Sequence, residues 1–504
     1  MAGGSSPPGR AAWAAASAAA GGAGLALFWS STRCGFCLDD HLAIESNADI
    51  AGFEGSFSAA LWHDFWGRDM NAENSHKSWR PLTIFTFQLN YLAGSLDPAG
   101  FHATNAALHG LVCAAVVQLG RAVSGCLRTS LLAGLAFAAH PVHVEAVTGV
   151  VGRADVLGTL LSILAFLAYS RLLVACGALP PAGARRTDRR WAVDVDGVFV
   201  SSGCFLLLGW GAMLAKEVGA TVLGIVAAYD LAVQPWWGRW LPLPVGRRGR
   251  GRSVRLPLCA LALRWALLAL CGGCYLGLRA WLTAASGKAT LEGSQLLRRA
   301  ENPFALTEGW CRLRSMLYLQ AFYGKLLLSL DGPLCCEYSY NCIPALETAS
   351  DPRNLASLAF WLGMAALVRW CVLCHQACWK PGGQRAEGGT PDARQPEPEP
   401  EPEPETESKP EPEPEPEPEP DSPAAARRGA FALCALSWLV IPMLPATNLF
   451  FTVGTLIAER LLYMPSVGLV LLAGHAATSL SRRYPALLVY LLRAIMIATC
   501  PHFL

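Results

Sequence analysis

Residues 36–41 read Phe-Cys-Leu-Asp-Asp-His, and residues 75–82 read Ser-His-Lys-Ser-Trp-Arg-Pro-Leu. The segment from 36 to 82 is polar, charged and rich in aromatic side chains, and it lies between apolar runs long enough to cross a bilayer. Loops held by a rigid scaffold carry a large share of binding and catalytic residues. We therefore expect this loop, with its acidic pair Asp39 and Asp40, to lie at a functional site.

The composition around this loop is that of a membrane protein. Of the 504 residues, 53% are hydrophobic and only 15% are charged, whereas a soluble domain carries roughly 25% charged residues. The formal net charge of +2 gives no sign of a nucleic-acid partner. Repeated apolar runs with few charges predict an all-α polytopic membrane protein.

The apolar runs predict about eleven membrane-spanning helices, each near the ~20 residues that a bilayer requires. A cleaved signal peptide is the alternative interpretation of the first run, but that run exceeds the ~7–15 apolar residues of a typical signal. The arginine clusters at 121–128, 185–190, 247–255 and 482–483 all fall on the cytosolic side if the N-terminus is cytosolic, as the positive-inside rule requires. The predicted spans are 11–29, 101–120, 131–151, 156–175, 198–214, 219–233, 256–282, 355–378, 431–445, 454–476 and 485–499.

This topology divides the chain into alternating membrane and loop regions. A Pro-Glu repeat, centred on residues 396–420, cannot pack and is expected to be extended and disordered in the cytosol. We predict an N-terminal tail and first helix (1–30), a luminal catalytic loop (31–100), helices two to seven (101–283), a second luminal loop (284–353), helix eight (354–378), the cytosolic Pro-Glu-rich loop (379–428) and helices nine to eleven with the C-terminus (429–504).

Four sets of ionisable residues border or interrupt the apolar runs, and the predicted topology places all four at the luminal side. Such residues are costly near a bilayer and commonly mark functional sites. Their joint placement predicts a single luminal site, although either acid–base pair alone is explained equally well as paired charges at a helix end. His140 and His143 have a spacing that suits a metal, but we see no third ligand and predict no metal. The sets are Asp39-Asp40; His140, His143, Glu145, Arg153 and Asp155; Lys216-Glu217; and Glu459-Arg460.

Several of these stretches resemble the membrane half of the TMTC family, the transmembrane and tetratricopeptide-repeat proteins of the endoplasmic reticulum. The resemblance implies a GT-C-type membrane glycosyltransferase, a multi-pass protein of the endoplasmic reticulum membrane. It also implies transfer of mannose from dolichyl phosphate mannose to Ser or Thr of secretory-pathway proteins, with cadherins as acceptors. The matching stretches are 64–68 (DFWGR), 75–83 (SHKSWRPLT), 140–147 (HPVHVEAV), 151–155 (VGRAD), 351–356 (DPRNLA) and 458–466 (AERLLYMPS).

The resemblance assigns roles to the ionisable residues. Asp39 and Asp40 match the acidic pair that GT-C enzymes place in the first luminal loop, where a carboxylate acts as the base on the acceptor hydroxyl. A single displacement then inverts the β-linked donor to an α-mannoside. The lipid-linked donor is a co-substrate, and we expect no cofactor. Residues expected to bind the leaving phosphate or the substrate are Arg80, His140, His143, Glu145, Arg153, Lys216, Glu459 and Arg460.

Other functions stay open at this stage. The family carries helical repeats of ~34 residues after its last span, and this sequence shows none before Leu504, so we interpret it as the membrane half without repeats. A noncatalytic scaffold or partner subunit is therefore one alternative. A transporter is another, although the charges gather at one membrane face and not at the midplane. A mannosyltransferase acting on lipid-linked oligosaccharides differs only in its acceptor.

Overall fold

The computed structural model describes residues 8–52, 57–72, 75–179, 193–233, 258–284, 302–328, 334–335, 338, 341–377, 423–449 and 454–483. These residues form α-helices, short 3-10 and π turns and connecting loops. No β-strand occurs among them. The predicted helix at 485–499 and most of the Pro-Glu-rich loop lie outside the described residues. The all-α class predicted from the apolar runs is confirmed.

Fourteen α-helices lie within this described part of the chain. They are α1 (Arg10–Phe28), α2 (Ala48–Ala51), α3 (Pro81–Gly94), α4 (Pro98–Ser124), α5 (Leu127–Ala138), α6 (Val144–Thr148), α7 (Arg153–Ala175), α8 (Val195–Ala215), α9 (Thr221–Val233), α10 (Leu258–Ala284), α11 (Gly309–Leu328), α12 (Arg353–Ala377), α13 (Pro423–Val440) and α14 (Ser466–Arg483).

Seven described helices are long and apolar enough to cross a membrane, and an eighth span results if the bent pair α5–α6 is counted as one. The chain is thus a multi-pass membrane protein, but the predicted count of eleven is not confirmed. The predicted span 131–151 is bent by 54° at the break before Pro141, because proline cannot continue the hydrogen bonding of a helix. Within the predicted span 454–476, helix α14 begins only at Ser466.

Helices α1 and α4 cross at very short range through glycines. A Cβ atom on Gly110 would lie 2.8 Å from the carbonyl oxygen of Gly21, and one on Gly21 would lie 3.0 Å from the carbonyl oxygen of Gly110. Small residues let helix backbones approach closely where lipid supplies no hydrophobic driving force. This contact fixes the first helix against the bundle and so fixes the start of the loop that follows it.

Helix α3 lies within the predicted luminal loop (31–100), where no helix was expected, and it runs across the ends of three other helices. Thr83 Oγ1 donates to the carbonyl of Ala215 at the end of α8 (2.8 Å). Arg153, the first residue of α7, donates to Asn90 Oδ1 (2.5 Å), and Asn90 Nδ2 donates to Thr104 Oγ1 near the start of α4 (2.9 Å). These helix ends lie on the side that the arginine pattern predicts to be luminal. Helix α3 therefore lies on the luminal side, next to the polar loop formed by residues 36–80.

Candidate functional site

The loop from residue 62 to residue 80 is organised around the buried carboxylate of Asp64. Its Oδ2 accepts from Ser75 Oγ (2.7 Å) and from the backbone N–H of His76 (2.9 Å). Its Oδ1 accepts from the backbone N–H groups of Trp66 and Arg68 at 2.9 and 3.1 Å. Four hydrogen bonds to one carboxylate fix the chain that leads to Arg80. Asp64 lies in the stretch 64–68 (DFWGR), but the sequence alone indicates no role for it.

The two residues of the acidic pair, Asp39 and Asp40, have different surroundings. Asp40 is buried, with only 1% of its surface exposed. Its carboxylate accepts from the backbone N–H groups of Val150 (3.3 Å), Val151 (2.9 Å) and Cys37 (3.3 Å). Burial raises the pKa of Asp40, although these three donors oppose the shift. The carboxylate therefore caps the turn that opens α7 and anchors the polar loop to it.

Asp39 is the accessible member of the pair. Its side chain is 42% exposed, and its Oδ2 lies 3.1 Å from Nη1 of Arg460, a residue 421 positions away in the sequence. The same guanidinium nitrogen lies 3.4 Å from Glu145 Oε1, and Glu145 Oε2 accepts from the backbone N–H of Arg460 (2.8 Å). The structure thus joins Asp39, Glu145 and Arg460 in one network drawn from three distant parts of the chain.

Two further ion pairs continue the network. Lys216 Nζ lies 2.6 and 2.5 Å from the two carboxylate oxygens of Asp155, and Arg80 Nε lies 3.0 Å from Glu217 Oε2. Burial lowers the pKa of Lys216; Asp155 opposes this shift, whereas the positive charges of Arg80 and Arg460 add to it. Lys216 therefore lies within electrostatic range of both arginines, and its neighbour Glu217 pairs with one of them, Arg80.

The histidines occupy the interior beside this network. His140 Nε2 donates to the carbonyl of Leu327 (3.1 Å), while its Nδ1 accepts from the backbone N–H of Val142 (3.3 Å). His143 is fully buried and its Nε2 contacts Ser466 Oγ (2.8 Å). The ring N–H of His140 is thus used inside the protein, and His143 contacts a serine of α14. The structure brings neither into contact with Asp39 or Arg460.

Two other predicted site residues also have internal partners. Arg153 is fully buried and donates to Asn105 Oδ1 (2.7 Å) and to the carbonyl of Phe101 (2.9 Å), as well as to α3. Glu459 is 2% exposed, and its Oε1 accepts from Tyr338 Oη and from the backbone N–H of Cys335, both at 2.8 Å. Both residues are thus held by partners within the protein. The sequence does not indicate a role for Tyr338, because the residue to which it donates, Glu459, lies 121 positions away.

No group of three or more histidine, cysteine, aspartate or glutamate side chains is placed to hold a metal ion within the described part of the chain. The side chains of the site offer a carboxylate open to solvent, with a guanidinium group beside it. A carboxylate can accept a proton from a hydroxyl group, and guanidinium groups stabilise phosphate oxygens through paired, charge-assisted hydrogen bonds.

Comparison with known proteins adds independent information. Residues 293–365 match the family model for "Protein O-mannosyl-transferase TMTC, DUF1736". The chain is 32% identical over 489 residues to protein O-mannosyl-transferase TMTC2 of Mus musculus, covering 94% of this chain and 54% of that protein. It is 30% identical over 490 residues to Tmtc3 of Drosophila melanogaster (91% and 46%) and 31% identical over 485 residues to TMTC4 of Homo sapiens (92% and 55%).

Over this shared region, the chain belongs to the TMTC family. The GT-C-type membrane fold implied by the resemblance is the fold of this family. The chain spans about half the length of the TMTC relatives it matches. No solved structure matches it. The matches to these relatives extend over 91–94% of the chain.

Proposed function

We propose that this TMTC chain is the membrane part of a protein O-mannosyltransferase that uses dolichyl phosphate mannose as donor and Ser or Thr of secretory-pathway proteins as acceptor. The names of its relatives support mannosyl transfer to protein. The observation that carries the proposal is the contact between Asp39, an exposed carboxylate, and Arg460, a cation suited to phosphate. Residence in the endoplasmic reticulum and cadherin-like acceptors belong to the same proposal.

Asp39 is the base in this scheme. A general base must reach the proton that it removes, and Asp39 is 42% exposed. Asp40 is buried and already accepts three backbone N–H groups. We therefore divide the acidic pair: Asp39 takes the proton, and Asp40 is a positioning residue that holds the loop against the start of α7.

Transfer then takes place in one displacement. The acceptor oxygen forms a bond to the anomeric carbon as its proton passes to Asp39, and the bond from that carbon to the phosphate oxygen breaks. The electron pair leaves with the lipid phosphate, whose added negative charge requires a cation in place before the reaction begins. Arg460 supplies this cation, with Lys216 behind it. Attack from the face opposite the phosphate converts a β-linked donor into an α-mannoside.

Arg460 also connects donor binding to activation of the base. In the structure, its guanidinium is shared between Asp39 and Glu145. A phosphate at the site competes for that guanidinium and so releases Asp39 for the acceptor hydroxyl. Glu145 keeps the turn at Arg460 in place, because it also accepts from the backbone N–H of that residue. The order of events that follows is donor first and acceptor second.

The direct test is reconstitution of the purified chain with dolichyl phosphate mannose and a cadherin-domain acceptor, read out as hexose added to Ser or Thr by mass spectrometry. The assay is run with and without a separately supplied tetratricopeptide-repeat domain. Transfer in either arm supports the proposal. Absence of transfer in both arms, from a chain that is folded and monodisperse, contradicts it and favours a noncatalytic partner subunit.

A further inference from the structure

Arg279, in the last turns of α10, is a cation to which the sequence gave no role. Its Nη2 donates to the carbonyl oxygen of Lys77 at 3.0 Å. Lys77 has a φ of +56°, in the left-handed region that non-glycine residues rarely occupy. Its Nζ donates to the carbonyls of Met70 (2.6 Å) and Ala72 (2.9 Å), which hold the residue in this conformation. Strain of this kind clusters at binding and catalytic sites.

Arg279 and Arg80 act on the same carboxylate. Burial raises the pKa of Glu217, but the charge of Arg80, a backbone hydrogen bond and the charge of Arg279 together outweigh burial and leave this pKa below its ordinary value. Because the side chains of Arg80 and Glu217 are 19% and 31% exposed, an anion from outside can reach the pair.

Exposed tryptophans lie at the same end of α10. The rings of Trp62, from the polar loop, and Trp281 meet edge-to-face with their centroids 6.1 Å apart. Both residues are more than half exposed, and Leu276, one to two turns earlier on α10, is 68% exposed. Tryptophan is enriched where membrane proteins cross the level of the lipid headgroups. The arginines therefore lie close to the depth at which lipid phosphates are found.

We propose that Arg80, Arg279 and the Trp62–Trp281 pair form a docking site at the bilayer edge for the phosphate and first isoprene unit of a polyprenyl phosphate. This inference rests on the proposed function, since it takes the donor to be lipid-linked. Guanidinium groups bind phosphate through paired hydrogen bonds. The indole rings supply a rigid apolar surface for the hydrocarbon that follows the phosphate.

The docking site is distinct from the place of transfer and connected to it. Arg80 pairs with Glu217, the residue after Lys216, and Arg460 pairs with Asp39. The charges of both arginines act on Lys216, which links the outer pair to the cation beside Asp39. A phosphate held first by Arg80 and Arg279 then moves to Arg460. The outer arginines thus determine affinity for the lipid, whereas Arg460 acts in the transfer step.

The test measures binding of dolichyl phosphate, which carries no sugar to transfer, to the full chain in nanodiscs by native mass spectrometry. Replacing Arg279 with glutamine removes one charge-assisted contact, and we expect about a tenfold loss of affinity, equivalent to ~1.4 kcal/mol. Arg279→Lys keeps the charge and should lose less. Arg171→Gln is the matched control, because Arg171 is an exposed arginine near the C-terminal end of α7. This variant should bind dolichyl phosphate as the wild type does. Trp281→Ala provides a second route if Arg279→Gln fails to fold, and it should also weaken binding.

Each outcome of this experiment is informative. Wild-type affinity in both Arg279→Gln and Trp281→Ala overturns the docking site and leaves the proposed function intact. Failure of the wild-type chain to bind dolichyl phosphate overturns the donor class itself. Inorganic phosphate at equal concentration should not displace the lipid. If it does, the site is a general anion site, and the assignment to a lipid is wrong.

Discussion

The buried pair Lys216–Asp155 gives the sharpest prediction for stability. Both side chains are less than a tenth exposed (8% and 6%), and both carboxylate oxygens contact Nζ. Removing one partner of such a pair leaves an uncompensated buried charge and costs about 3–5 kcal/mol, whereas replacing both with apolar residues of similar volume is often close to neutral. We expect Lys216→Met and Asp155→Leu each to lose this amount, and the double variant to lose less than either.

The surroundings make the two single variants unequal. Asp155→Leu leaves Lys216 facing the positive charges of Arg80 and Arg460, both of which already disfavour its charged form. Lys216→Met leaves Asp155 within the field of Arg460, which compensates part of its charge. Asp155→Leu should therefore be the more damaging change. The free energy of unfolding is measured by titrating micelles of the full chain with sodium dodecyl sulfate while following helicity.

Exposed charges at the opposite ends of helices serve as controls for this cycle. Arg171→Met and Asp196→Leu, at exposed positions, should change the free energy of unfolding by about 0.5 kcal/mol or less. A double variant as unstable as the sum of its two single variants would show that the residues do not act as a pair. A Lys216→Met variant less stable than Asp155→Leu would contradict the electrostatic arrangement of the three cations.

Three more outcomes are expected. Asp40→Asn removes part of the cap on α7 and should lower the free energy of unfolding by about 1–3 kcal/mol, measured by the same titration. Mannosyl transfer per folded molecule should fall much less than in Asp39→Asn. Equal loss of transfer in the two variants would refute the assignment of Asp39 as the base and Asp40 as a positioning residue. Gly110→Val forces a Cβ into the carbonyl of Gly21 and should cost about 1–3 kcal/mol as a lower Tm, whereas Gly22→Ala, with nothing within 4 Å of its added Cβ, should have little effect. The pKa of Glu217 is lowered in the folded chain, so its contribution to stability is present above its ordinary pKa of 4.5 and is lost as pH falls through the folded value. Glu217→Gln should therefore remove this loss of stability at acid pH from the pH dependence of Tm. An unchanged pH dependence would exclude the Arg80–Glu217 pair as its source.

The membrane class and most helix positions follow from the sequence because apolar runs must cover the length of a bilayer. Helix α3 was missed for the same reason. With 14 residues, it is too short to span, and it carries threonine, glutamine and asparagine toward its neighbours. The break before Pro141 is visible in the sequence, yet whether proline bends a span or ends it depends on the helices packed around it.

For the site, the sequence predicts that distant residues meet but not the separate role of each residue. Four charged sets on one predicted side pointed to a shared location, and Asp39 does meet Arg460. The sequence did not separate Asp39 from Asp40, because their difference arises from Val150 and Val151, more than a hundred positions away. Arg279 was hidden within an apolar run, where a lone arginine near a helix end is typical of a side chain reaching for the interface. Its role depends on a loop 202 positions earlier.

Mannosyl transfer by Asp39→Asn tests the central claim most directly. The variant keeps the size of the side chain and removes the base, and folding is checked by the unfolding titration. Asp196→Asn, at an exposed acid on α8, is the matched control. General base catalysis contributes about 10²–10⁴-fold, so we predict that Asp39→Asn loses transfer by at least a hundredfold while dolichyl phosphate still binds and the control retains wild-type activity. Transfer within a few-fold of wild type in a folded Asp39→Asn chain would contradict the account.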